Sequence, residues 1–202
     1  MRIGIYGGSF NPVHNGHIHL ANTAVRDFSL DRLFLMPSKI SPHRSSDEYV
    51  SEEDRLAMLR LACEDCEKLS VSDYELKSDR VSYSIYTVEH FRELYPADEL
   101  FLLVGSDMLL SFEKWFRFED ILSAVTLCAV SRNDGDLAEL RKKADELSQY
   151  GRVLISSSPA VEVSSSDIRK KIEKNLDFAC YLSENVVQYI RLKGLYQKNK
   201  KI

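Results

Sequence analysis

Two histidines three residues apart, His14 and His17, follow a glycine pair, Gly7-Gly8, in the run Gly7-Gly8-Ser9-Phe10-Asn11-Pro12-Val13-His14-Asn15-Gly16-His17. Glycines without side chains let a ligand approach the backbone closely. A helix opening near Gly16 would aim free N–H groups and its positive dipole end at the same space. Such helix starts bind phosphate. At a spacing of three, His14 and His17 share one side of the helix start. Their ring N–H groups suit phosphate oxygens and charge that develops in a transition state. The run lacks the lysine of a Walker A loop and the third glycine of a GxGxxG fingerprint. Two other readings stay open: a tight turn with half-buried capping histidines, and a zinc site at His14, His17 and His19. The zinc site lacks a neighbouring cysteine or the glutamate of an HExxH helix.

A second anion site is offered by Ser164-Ser165-Ser166-Asp167-Ile168-Arg169, where hydroxyls precede a helix bearing Arg169, Lys170 and Lys171. An ordinary Ser/Asp cap with a solvated basic face is the alternative. Between these sites lie Gly105-Ser106-Asp107, whose carboxylate suits a ribose hydroxyl, and Trp115, the single tryptophan, suited to stacking on a ring. Tyr83, Ser84 and Thr87 open a helix. Lys39, His43 and Arg44 form a basic cluster on a loop that suits a substrate phosphate. The pair Cys63 and Cys66 falls within a predicted helix and reads as packing and surface, not redox or zinc chemistry.

The elements that must position these residues alternate strand and helix. Residues 2–6, 31–37, 70–76, 100–104, 126–131 and 153–156 read as strands. Helices are expected over 17–28, from the Ser51 cap through about Glu67, over 85–94 and over 136–149, with two more at the C-terminus and Gly194 as the last stop. On the second of these, Leu56, Leu59 and Cys63 are expected to face the core. Leu100 to Val104 is continuously apolar, as a central parallel strand requires. The pattern predicts an α/β fold with a doubly wound parallel sheet, whose ligands bind at the carboxyl ends of the strands. The suggestive residues lie there.

At 202 residues and 44% hydrophobic content the chain is long enough for one well-packed domain. A formal net charge of −4 argues against a general nucleic-acid binder. No apolar run approaches the roughly 20 residues of a membrane span. The N-terminus reads as a strand rather than a secretion signal. With four cysteines and no need of disulfides, the expected location is cytoplasmic.

The first run resembles the signature of the nucleotidylyltransferase superfamily, an HxGH motif, here His14-Asn15-Gly16-His17. The second resembles its ISSTxIR signature, with Ser166 at the threonine position. Pro42-His43-Arg44, Asp73 to Leu76, Ser82 to Thr87, Gly105 to Asp107 with Trp115, and Gly194-Leu195-Tyr196 extend the likeness over nearly the whole chain. The branch it is similar to is that of the bacterial nicotinate-nucleotide adenylyltransferases. Departures are Tyr86, where the branch usually has Asp, Ser41, where it usually has a proline, and the absence of a glycine near Arg80 and Val81.

The resemblance implies a Rossmann-like core over about 1–160 with C-terminal helices over about 161–202, all in one nucleotidyltransferase domain. It implies transfer of AMP from ATP to nicotinate mononucleotide, with Mg²⁺ held mainly by the ATP phosphates and no protein metal ligands. By likeness, His14, His17 and Arg169 are catalytic. ATP meets Gly7, Gly8, Ser9, Phe10, His14, His17, Gly105, Asp107, Ser165, Ser166 and Arg169. The mononucleotide meets Ser9, Lys39, His43, Arg44, Ser84, Thr87 and Trp115. A homodimer is compatible with the likeness. Rival readings are another acceptor (nicotinamide mononucleotide, phosphopantetheine or, with CTP, an alcohol phosphate), a nucleotide-binding regulator without turnover, and a zinc hydrolase.

Overall fold

The structure is a computed structural model that describes residues 1–39, 50–131, 137–156 and 163–197. Six strands form one parallel sheet: β1 (Arg2–Gly8), β2 (Arg32–Pro37), β3 (Leu69–Val71), β4 (Glu99–Gly105), β5 (Thr126–Val130) and β6 (Val153–Ser156). Their order is β3-β2-β1-β4-β5-β6. The chain winds outward from β1 on one side, then starts again at β4 on the other. Where the winding reverses, between β1 and β4, the connections leave in opposite directions and a crevice opens at the strand ends.

Helices α1 (Asn15–Asp27), α2 (Glu52–Cys63), α3 (Tyr74–Lys77), α4 (Ser84–Leu94), α5 (Ser106–Leu110), α6 (Phe118–Ala124), α7 (Leu137–Leu147), α8 (Ser165–Glu173) and α9 (Glu184–Lys193) complete it, with 3₁₀ turns at Phe112–Lys114 and Ala179–Tyr181. Two apolar clusters cover the two faces of the sheet. One joins α1, α2, α8 and α9 to Phe101, Leu103 and Val130; the other joins α4, α5, α6 and α7 to Ile5, Leu102 and Leu127. Successive residues of β4 enter opposite clusters, so its unbroken apolar run is a strand buried on both sides. No helix among the described residues is long and apolar enough to cross a membrane.

Three sequence expectations change. The strand expected over 70–76 pairs with β2 only at Leu69–Val71. Ser72 Oγ then accepts from the Tyr74 N–H, and Asp73 O from Lys77 N, so the chain turns into α3. Helix α2 stops at Cys63 rather than Glu67, because Glu64, Asp65 and Glu67 place negative charge at the negative end of the dipole. Cys66 therefore lies in the turn beyond it. The buried stripe of α2 is Arg55, Met58, Leu59 and Cys63, with Leu56 only half-buried. Sequence reading also left 106–125 without elements, where α5, a 3₁₀ turn and α6 stand.

Candidate functional site

An open cavity of about 590 Å³ sits at the ends of β1 and β4. Its lining includes Gly7, Gly8, Ser9 and His17 of the first motif, Gly105 and Asp107 after β4, and Ser82, Tyr83, Ser84, Trp115 and Phe116. A Cβ built on Gly7 would meet nothing within 4 Å. The missing side chain at Gly7 thus leaves room in the cavity and relieves no packing.

His14 is the N-cap of α1, in extended backbone, and is buried. Its backbone N–H donates to His17 Nδ1 at 3.2 Å, and the two rings stack at 3.6 Å. With Nδ1 accepting, the proton of a neutral His17 ring sits on Nε2, which makes that atom a donor. Phe10 does not line the cavity. Its ring is buried edge-on between Tyr6 at 5.5 Å and His17 at 5.1 Å, a prop for the histidine.

The second motif docks against this turn. Ser165 Oγ donates to Pro12 O at 2.9 Å, and the Arg169 guanidinium donates to Asn11 O at 2.9 Å. Ser166 is exposed beside Arg169, 3.5 Å away. Helix α8 is opened by Ser164, whose hydroxyl accepts from Asp167 N at 3.1 Å. Gly16 allows the approach: a Cβ there would fall 2.8 Å from Val163 Cγ1 and 3.1 Å from His14 Nδ1. The two signatures, about 150 residues apart in sequence, thus form one surface around Asn11-Pro12.

Other expected residues are placed as follows. Thr87 does not line this cavity; it is buried in the wall of a smaller neighbouring one, and its hydroxyl donates to Glu75 at 2.7 Å. Lys39 joins the same corner through its backbone, which donates to Ser82 Oγ, while its Nζ pairs with Asp79 at 3.0 Å. His43 and Arg44 lie outside the described residues. Tyr86, at the position where Asp was expected, has the Arg80 guanidinium over its ring at 5.5 Å. Among the described residues no group of three or more His, Cys, Asp or Glu is arranged to hold a metal ion. Burial pushes the Cys63 thiol up to about 12, which leaves little thiolate for redox chemistry.

Sequence reasoning gave no role to three contributors, although Glu75 and Tyr196 fall within its matching stretches. Arg55 is 1% exposed and its guanidinium donates to Ser9 O at 2.8 Å from beneath the loop. Tyr196 is half-buried and donates to Asn11 Oδ1 at 2.9 Å; the enclosure of its hydroxyl pushes the phenol pKa far up, so it stays a donor. Glu75 is buried beside the cavity. The signal for Arg55 was available: a charge on the apolar stripe of a helix is out of place unless something inside needs it.

A cytidylyltransferase-like family model matches residues 5–171. A protein of Carboxydothermus hydrogenoformans named "Probable nicotinate-nucleotide adenylyltransferase" is 37% identical over 97% of this chain and 98% of its own length. One of Shewanella frigidimarina with the same name is 34% identical over 98% and 100%. Among solved structures, Plasmodium falciparum nicotinic acid mononucleotide adenylyltransferase complexed with NaAD shares the fold with a TM-score of 0.79 at 19% identity, covering 96% of this chain and 97% of that one. The same enzyme complexed with APC gives 0.77 at 20% identity, over 96% of each chain.

Proposed function

The chain belongs to the cytidylyltransferase-like family, in its nicotinate-nucleotide adenylyltransferase branch, and from that premise we infer its reaction and the residues that perform it. The enzyme transfers AMP from ATP to nicotinate mononucleotide, giving nicotinate adenine dinucleotide and pyrophosphate. One observation supports this best. A single cavity is lined both by phosphate-type groups, Gly7 to Ser9 with His17, and by the aromatic residues Trp115 and Tyr83. Groups for a nucleotide phosphate and for a ring in one cavity are what joining two nucleotides requires.

A phosphate oxygen of the mononucleotide attacks the α-phosphorus of ATP, the bond to the bridging oxygen breaks, and pyrophosphate leaves. No protein nucleophile is needed, so positioning and charge stabilisation account for the rate. His17 Nε2–H donates to the α-phosphate oxygens. His14 orients that ring through its backbone N–H and its stacked imidazole. Arg169 and Ser166 serve the departing phosphates. Ser165, with its proton committed to Pro12 O, serves mainly to seat α8. Asp107 takes a ribose hydroxyl. Ser9 and Lys39 are assigned to the mononucleotide phosphate, Trp115 and Ser84 to its ring. Magnesium enters with ATP as the MgATP substrate, ligated by phosphates and water. Acting on free nucleotides, with free cysteines at Cys63, Cys66, Cys128 and Cys180, the enzyme fits a cytoplasmic setting.

Chromatographic analysis of products tests the acceptor. The purified protein with MgATP should form the dinucleotide from nicotinate mononucleotide faster than from its amide, and nothing from phosphopantetheine or from CTP with an alcohol phosphate. Product from phosphopantetheine alone would move the chain to a different branch.

A further inference from the structure

Glu75 lines both the main cavity and a smaller one of about 330 Å³ beyond it, bounded by Tyr74, Arg80, Tyr83 and Tyr86. It shares the main cavity with Trp115 and Tyr83, which give a flat ring a surface to stack on. Its partners are hydroxyls: Thr87 Oγ1 donates to it at 2.7 Å, and Ser82, itself fixed by the Lys39 N–H, donates as well. Among the described residues no cation is paired with it.

The surrounding charged and titratable groups are these. Tyr74 and Lys77 share its helix, with Arg80 on the connection to α4. Tyr83 and Tyr86 open α4, and His90 stacks on Tyr74. Glu89 and Glu93 reach as far as Tyr74. His17, Asp107 and Lys114 line the same cavity, and Lys39, whose N–H donates to Ser82, pairs with Asp79. Burial pushes the Glu75 carboxyl up to about 7, so both protonation states are populated at neutral pH.

We propose that Glu75 is a specificity-determining residue of the acceptor end: its carboxyl meets the substituent on the acceptor ring and reads that substituent's charge. When neutral, Glu75 donates to an anionic carboxylate. When ionised, it repels that carboxylate and accepts from a neutral amide. Binding of the acid therefore raises the Glu75 pKa and draws a fraction of a proton from solvent onto Glu75, and binding of the amide draws none. This rests on the adenylyl-transfer reading above.

Calorimetric titration of the full chain with nicotinate mononucleotide and with its amide, beside a non-hydrolysable ATP analogue, tests it. Titration of the shared phosphate and of His17 cancels in the ratio of the two affinities. That ratio should fall roughly tenfold, about one pKa unit of coupling, between about pH 6 and about pH 8.5. Glu75→Gln should flatten the dependence. In the wild type alone, buffers of different ionisation heat at about pH 8 should show extra proton uptake for the acid over the amide. This keeps the test independent of whether the variant folds. A flat ratio, equal proton uptake, or an unchanged slope in a folded Glu75→Gln would overturn the proposal while leaving adenylyl transfer intact. Failure of either mononucleotide to bind would overturn both.

Discussion

At the residue scale, the site depends on side chains that hold other side chains. The spacing His14 to His17 was visible in the sequence, and so was their place at a helix start. The division between them was not, since it follows from backbone geometry: His14 caps and stacks while His17 lines the cavity. Replacing His17 with Ala removes the donor to the α-phosphate. Turnover should fall by about 10²–10³ while circular dichroism and Tm stay near wild type, as for other single charge-stabilising donors. A folded variant with near-normal turnover would show that another group holds that phosphate. Arg55 acts one layer deeper. Arg55→Met leaves Ser9 O without its donor inside the protein, a cost of about 1–3 kcal/mol. Urea unfolding should report that loss, and KM for ATP should rise because Gly7 to Ser9 lose their support. Full stability together with normal KM would contradict the role given to Arg55.

At the element scale, the junction of α1 and α8 unites the two motifs. Each motif was legible as a helix start with polar residues, but their contact through Gly16 and Val163 was not, because nothing local encodes an approach between segments so distant in sequence. Gly16→Ala tests it. The added Cβ, 2.8 Å from Val163 Cγ1, must displace Val163 on the approach to α8, with an overpacking cost of about 1–3 kcal/mol. Activity should fall further than stability does, since Arg169 shifts with α8; equal losses would mean that the junction is only packing. The misread segment 70–76 illustrates the opposite limit. The run Ser70 to Leu76 reads as alternating like a strand, but β3 is an edge with one neighbour, and the Ser72 hydroxyl turns the chain after three residues. Glu75 therefore points into the protein from α3 instead of standing on a sheet.

At the scale of the whole molecule, six strand segments separated by helices made the parallel, doubly wound sheet legible in the sequence, but not its order β3-β2-β1-β4-β5-β6. The shape of the cavity was not, since it joins the ends of β1 and β4 to α3, α4 and the Trp115 turn. One consequence reaches global stability. Glu75 is held at about 7, against about 4.5 for an exposed carboxyl, so the folded state binds its proton more tightly than the unfolded state. Its contribution is fully present below about pH 4.5 and is lost as pH rises through about 7, up to about 3 kcal/mol in total. Urea unfolding at several pH values should show wild-type stability falling across this window by more than that of Glu75→Gln. Parallel curves would mean that Glu75 does not titrate in the fold.

The most direct test of direct adenylyl transfer is the rate of pyrophosphate release from MgATP with and without nicotinate mononucleotide. Release should require the mononucleotide and match dinucleotide formation one for one. Release without it, or dinucleotide formation out of step with it, would contradict a direct attack of the acceptor phosphate on ATP.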